Sequence, residues 1–368
     1  MFYQKLSFIR VLTTAFALLL PVISGWAQDR APFILGGALQ QGRILVHTPK
    51  IKHFAGTSPT GIELNMQQQT TGKQYWHQLY GYPRIGISFT YLAYHNLILG
   101  RSFALSPYLS LPIKRGEKST LHFRFGAGLA YFTNHFDYQH NPTNNIISNH
   151  YNAVIQTRLE YTRKISPHIS LVTAIGINHY SNGGDSKPNL GINIGTATLG
   201  LNYQHQPEYQ TTTHAPIAMA QRNFVFISSS IGVKQRDDFD TAKYVVNAVA
   251  VGGLHRLNQK SSVLVALEGF YDPSQFPRRA WDPRVEPGTN PDIRRAALTG
   301  GYAFHLGKLA LGAQAGWYFY RPYKSDAGVF QRLETKLQLH KNIFVAASLK
   351  LHDVIKADII EYRLGLQI

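Results

Sequence analysis

The sequence has 368 residues and a net charge of +17, with only 15% charged residues alongside 21 Tyr, 20 Phe and 31 Gly. It contains no cysteine, which excludes disulfides, thiolate metal sites, a cysteine nucleophile and a lipidated cysteine. Its Lys and Arg are scattered and form no recognisable nucleic-acid module, so the positive charge points to an anionic lipid-phosphate surface instead.

In chain order, the first element is "MFYQKLSFIRVLTTAFALLLPVISGWAQ". Lys5 and Arg10 precede an apolar run, and Gly25-Trp26-Ala27 offers small residues at the cleavage positions. Residues 1–27 therefore read as a signal peptide, too short and wrongly flanked for a membrane-spanning helix. The mature chain is expected to begin at Gln28 or Asp29 and to be exported. Beyond that point no apolar run approaches the roughly 18 residues that a membrane helix needs.

From there the pattern has a period of two. In "RFGAGLAYF" (124–132), Phe125, Ala127, Leu129 and Tyr131 share one face, opposite Arg124, Gly126, Gly128 and Ala130. "QTRLEYT" (156–162) alternates Thr157, Leu159 and Tyr161 against Gln156, Arg158 and Glu160, and "RLETKLQL" (332–339) does the same. Segments of about ten residues with one apolar and one polar face are the signature of an all-β, transmembrane antiparallel β-barrel. A soluble antiparallel sandwich is the competing fold.

The connections alternate in length. "LPIKRGEKST", "RKISPH", "LNQKSS", "HLGKLA" and "LHKNI" are short, whereas 134–149 and 272–295 are long. Placing the N-terminus in the periplasm puts every short turn inside and both long loops outside, the usual arrangement of outer-membrane barrels. The strands divide into 28–205 and 222–368, joined by a Pro/Thr/Gln-rich linker, 206–221. "TRLEYTRKISPHISLVTAIGINH" (157–179) aligns loosely with "QRLETKLQLHKNIFVAASLKLH" (331–352), which suggests a duplication. The expectation is about 14 to 16 strands in two repeat-like halves, closing as one large barrel or as two eight-stranded ones.

Between two such strands lies "INHYSNGGDSKPNLGIN" (177–193), at the outer rim. His179 and Ser181 lie two apart on the face that carries Leu171, Ile175 and Ile177, about 6.5–7 Å from each other along the strand. Asn193, on the returning strand, falls beside His179. A serine next to a histidine suits acyl transfer, with imidazole taking the hydroxyl proton and a third group fixing its tautomer. Asn182, Asn189 and the glycine N–H groups, those of Gly184 and Gly191 among them, are candidates to hold an oxyanion or shape the turn. Ser-Asn-Gly-Gly-Asp is equally ordinary turn chemistry.

His179-Tyr180-Ser181-Asn182, followed by Pro188-Asn189 and Gly191, resembles the PagL-type lipid A 3-O-deacylases over roughly residues 30–205. The resemblance implies an outer-membrane barrel that cuts an ester-linked hydroxyacyl chain from lipid A without a metal. It makes His179 the general base, Ser181 the nucleophile, and Asn182 and Asn189 the oxyanion or turn residues. The family's acid falls fourteen residues after the histidine, where this chain has Asn193. An amide oxygen can accept the imidazole N–H and hold the tautomer, but it offers no charge to the imidazolium. Asp185 is a possible substitute from within the loop, whereas Glu160 alternates onto the opposite face.

The second half has His352-Asp353 at the corresponding place, with neither Ser-Asn nor Pro-Asn, and reads as scaffold. Arg278, Arg279, Arg294 and Arg295 in the long loop are weak candidates for contact with lipid phosphates, and Arg284 lies among them. Asp282, Glu286 and Asp292 suit calcium less well than they suit a solvated loop. "WHQLYGYPRIG" (76–86) has the aromatic content of an interfacial girdle. No cofactor or metal is expected, since sixteen histidines form no HExxH or close cluster. The expected partner is lipopolysaccharide in the outer membrane, with the oligomeric state open. The alternatives are a catalytically silent structural barrel, a pore, or an adhesin using the long loop.

Overall fold

The computed structural model describes residues 32–353 and 356–368; the signal peptide read at residues 1–27 lies outside them. The described residues form sixteen antiparallel strands, β1 (Phe33–Ile44) through β16 (Lys356–Gln367), in two closed barrels of eight. Closure thus takes the second of the two forms the pattern allowed. Strands pair in sequence order within each barrel. β1 closes the first on β8 (Ile192–Gln204), and β9 (Asn223–Gln235) closes the second on β16. The described residues divide accordingly into two compact units, those up to 182 with 188–215 and 183–187 with those from 216 onward.

The distribution of residues is inside-out. Glu63, Arg124, Gln156, Arg158, Asn178, Thr196 and Thr198 are buried in the first barrel, while Leu39, Ile175 and Leu199 are more than half exposed. A water-soluble sandwich would bury the second set and expose the first. With water outside, such a belt of apolar surface far exceeds what a soluble monomer carries. With hydrocarbon outside it is stable, and closure leaves no unpaired strand edge. The fold is that of a transmembrane barrel.

Each interior is filled by side chains, as an eight-stranded barrel requires. In the first, Glu63 takes Arg124 at 2.7 Å and Arg158 at 2.5 Å, and Gln40 donates to it at 2.9 Å. The Arg124 guanidinium also lies 3.5 Å from the centre of the Tyr108 ring. In the second, fully buried Arg332 meets Glu268 through two parallel bonds of 2.7 and 2.9 Å and Glu361 at 2.8 Å. Networks of this kind leave no wide lumen among the described residues, which counts against the pore.

The site-bearing end of the first barrel is plugged. Ile51 and Phe54 of a short 3₁₀ helix (Pro49–Phe54), with Leu92, Tyr94, Leu99, Phe132, Ile146 and Ile147, form one buried apolar cluster with Tyr180, Ile192 and Ile194. At the other end the linker packs back on the strand connection that precedes β3 (Arg84–Ala93). Thr212 donates its backbone N–H to Thr71 at 2.7 Å, and Gln78 donates to the His214 carbonyl at 3.2 Å.

Candidate active site

Strand β7 (Ile169–Ser181) pairs with β8 so that His179 stands directly opposite Asn193. Alternation does the rest. Asn178 and Tyr180 point inward and are fully buried, as are Ile192 and Ile194 on either side of Asn193. Tyr180 meets the Phe132 ring edge-on, with centroids 5.3 Å apart. The inward residues hold both strands against the plug, so the outward His179, Ser181 and Asn193 inherit a fixed backbone. They share the outward face with Ile175 and Ile177, which are exposed. His179 and Asn193 therefore lie half-buried on the outer side of the rim rather than in a channel, with Ser181 buried beside them on the same strand face.

The His179 Nδ1 to Asn193 Oδ1 distance is 2.7 Å. With Nδ1–H donated to that amide oxygen, Nε2 is left as the basic nitrogen, the state a general base requires. Asn189 donates from Nδ2 to Ser181 Oγ at 2.9 Å, so a neutral donor stands beside the atom that would attack. Asn182 is turned away: its Nδ2 donates to Ser148 Oγ at 2.7 Å, and its backbone N–H reaches Asn189 Oδ1 only at 3.5 Å. Of the two asparagines, Asn189 lies at the serine, and Asn182 ties the turn to the loop after β5 (Ser119–Phe132).

Gly191 adopts φ +70°, a left-handed conformation that costs any other L-residue energy. A β-carbon there would also lie 3.2 Å from His179 Cε1. Gly184 is left-handed as well, at φ +93°. Asp185, the possible substitute acid, accepts a bond from Ser186 at 3.1 Å, while the place beside His179 Nδ1 belongs to Asn193. Glu160 is buried in the barrel interior, 3.7 Å from Arg124.

Sequence reasoning missed two residues. Ser148 is one. The other is His47, on the run-out of β1, whose Nδ1 lies 3.3 Å from Asn193 Nδ2 and whose Nε2 lies 3.2 Å from the Leu190 carbonyl. The signal was the barrel seam: once β1 pairs with β8, Leu45 donates to the Asn193 carbonyl at 2.8 Å, and residue 47 falls at the site.

Three of the four arginines proposed for lipid phosphates have partners within the protein. Arg278 and Arg295 both bind Asp326, at 2.7 and 2.9 Å, and Arg279 donates to the Pro291 carbonyl at 2.6 Å. Arg294 is exposed, and its backbone N–H caps Asp292. Asp282 is held by Arg284 and Tyr323. The Arg284 guanidinium keeps its carboxyl well below the usual carboxylate range, an ion pair rather than a vacant cation ligand.

The two aligned segments fall on the sixth and seventh strands of their barrels, yet their histidines differ. His352 points inward and is buried. The second barrel has a Ser–His contact elsewhere, His305 Nε2 to Ser262 Oγ at 2.8 Å, but Arg256 donates to His305 Nδ1 at 3.0 Å. That donor puts the neutral ring's proton on Nε2, so His305 donates to the serine and cannot accept from it. The polarity is the reverse of the one at His179.

Residues 60–202 match the family described as lipid A 3-O-deacylase (PagL), and residues 223–368 match the family described as acyloxyacyl hydrolase, C-terminal domain. No curated protein matches the chain. Among solved structures, the Neisserial surface protein A is 8% identical, with 46% of this chain and 96% of that chain covered at a TM-score of 0.32. The attachment invasion locus protein Ail of Yersinia pestis is 12% identical, with 48% and 99% covered at 0.29.

Proposed function

The chain belongs to the PagL-type proteins, and on that premise we propose that it is an outer-membrane ester hydrolase removing a 3-O-linked hydroxyacyl chain from lipid A by a Ser/His mechanism. The observation that carries the reading is the 2.7 Å bond from His179 to Asn193 at the outer rim, with Ser181 two residues along on the same strand face. An acyl chain lying in the outer leaflet meets that face without leaving the membrane.

In this reading Ser181 Oγ adds to the ester carbonyl carbon as its proton passes to His179 Nε2. Negative charge collects on the carbonyl oxygen, and Asn189 is the side-chain donor nearest to it. The bond to the lipid A 3-oxygen then breaks, that oxygen takes the proton from His179, and the acyl group remains on Ser181. Water adds next, again losing its proton to His179, and collapse frees a 3-hydroxy fatty acid and restores the serine. Asn193 holds the tautomer throughout. The second barrel, with its inverted Ser–His polarity, serves as scaffold.

Mass spectrometry of lipid A from cells expressing the wild-type protein or Ser181→Ala tests the assignment. Loss of one 3-hydroxyacyl mass with wild type alone is the expected result. Identical spectra, with both proteins folded in the outer membrane, would leave a catalytically silent barrel as the better reading, consistent with an amide standing where the family has an acid.

A further inference from the structure

An amide that replaces a carboxylate creates a problem of direction. Both oxygens of a carboxylate accept, so either serves His179. A carboxamide has one acceptor and one donor end, and only the oxygen end gives His179 the tautomer of a base. Rotating Asn193 by half a turn would present Nδ2–H to His179 Nδ1. The ring proton would move to Nε2, and Ser181 would face a donor.

The surroundings of Asn193 determine its direction. The Leu190 carbonyl can only accept, so His47 Nε2, 3.2 Å away, carries a proton. In the neutral ring His47 Nδ1 is then an acceptor, and it faces Asn193 Nδ2 at 3.3 Å. The amide nitrogen is thereby turned toward His47 and the oxygen toward His179. With His47 as the neutral ring, each link follows from the one before, starting from a backbone oxygen that can only accept.

We propose that His47 is a positioning residue of the active site, orienting the Asn193 amide and through it selecting the base tautomer of His179. The inference rests on the Ser/His reading above. His47 is held for the task at both ends: Leu45 bonds the Asn193 carbonyl, and Thr48 leads into the 3₁₀ helix whose Ile51 and Phe54 are buried in the plug.

The test compares residues at position 47 by what they can donate. His47→Lys offers only donors and should turn the Asn193 oxygen away from His179, lowering kcat about tenfold or more. His47→Asp offers only acceptors and should stay within about threefold of wild type. In an Asn193→Asp background, where no end can be misdirected, the Lys and His forms should differ by less than about twofold. A merely structural role would make the loss from His47→Lys equal in both backgrounds, and that result overturns the proposal. Nitrogen-15 spectra of histidine-labelled protein in micelles give a second readout that needs no turnover. They should show His179 protonated on Nδ1 in wild type and on Nε2 in His47→Lys. An unchanged tautomer overturns the proposal even if the chain proves inactive on lipid A, whereas inactive wild type with the expected tautomer shift removes the hydrolase reading alone.

Discussion

Replacing Asn193 by Asp keeps the side chain's length and leaves an oxygen where Oδ1 now stands, 2.7 Å from His179 Nδ1. The tautomer is already correct, so the substitution adds only the attraction between a carboxylate and the imidazolium that forms as Ser181 attacks. Two unit charges about 4 Å apart in an effective dielectric of about 20 interact by ~4 kcal/mol. Asn193 is half-buried, and screening at such a position removes about half of that. The remaining ~2 kcal/mol corresponds to about a 30-fold rise in kcat, at ~1.4 kcal/mol per factor of ten. The assay is the initial rate of 3-hydroxy fatty acid release from lipid A in detergent micelles, measured for both proteins at matched thermal stability. An equal or lower rate for Asn193→Asp would refute the reasoning, because it would mean that His179 gains no charge in the transition state. A gain of several thousandfold would refute it in the other direction: serine proteases lose about 10⁴ when the amide imposes the wrong tautomer, and this site would then share that defect.

Three further outcomes follow from the same geometry. Asn189→Ala removes the donor at Ser181 Oγ and should lower kcat by about 10² to 10³ with the fold intact; a loss below about threefold in the release assay would take Asn189 out of the oxyanion's reach. Gly191→Ala places a β-carbon in a left-handed conformation against His179 and should cost ~1–2 kcal/mol of stability, together with most of the turnover, as read by thermal unfolding and fatty acid release. Glu63→Gln leaves Arg124 and Arg158 in the barrel interior without their shared counter-charge. It should destabilise the protein by about 3–5 kcal/mol, somewhat less where Glu160 compensates. A melting temperature equal to wild type would show that the interior network is hydrated rather than sealed.

The sequence made some features legible and hid others for physical reasons. Period-two alternation displays Arg124 and Arg158 opposite Phe125 and Leu159, because a strand turns successive side chains to opposite faces. His179, Ser181 and Asn193 were legible because a hairpin pairs residues close in the chain, and a separation of fourteen crosses one tip. The seam was not. β1 meets β8 through residues more than a hundred positions apart, and the alternation of Leu39 and Gln40 is the same whichever strand closes the barrel. His47 was hidden with the seam. Arg278 and Arg295 of the 272–295 loop looked available because sequence shows a charge but not its partner. Asp326 lies 48 residues from Arg278 and 31 from Arg295, beyond the reach of any local pattern.

The amide at position 193 and the histidine at position 47 are best understood as one arrangement. A carboxylate on the apolar rim orients His179 without help, but it must be desolvated there, a cost that grows as hydrocarbon replaces water around it. An amide avoids most of that cost and loses two things: charge stabilisation and unambiguous direction. The first loss lowers the rate by the factor that Asn193→Asp should recover. The second would be worse, since a reversed amide leaves no base at all. The Leu190 carbonyl, acting through His47, removes that ambiguity using only neutral groups. The same division runs through the whole hairpin, where Tyr180, Ile192 and Ile194 fix the backbone from inside and the outward side chains need only local hydrogen bonds to be placed. In the proposed hydrolase, a site built this way would tolerate the missing acid because its geometry does not depend on the acid's charge.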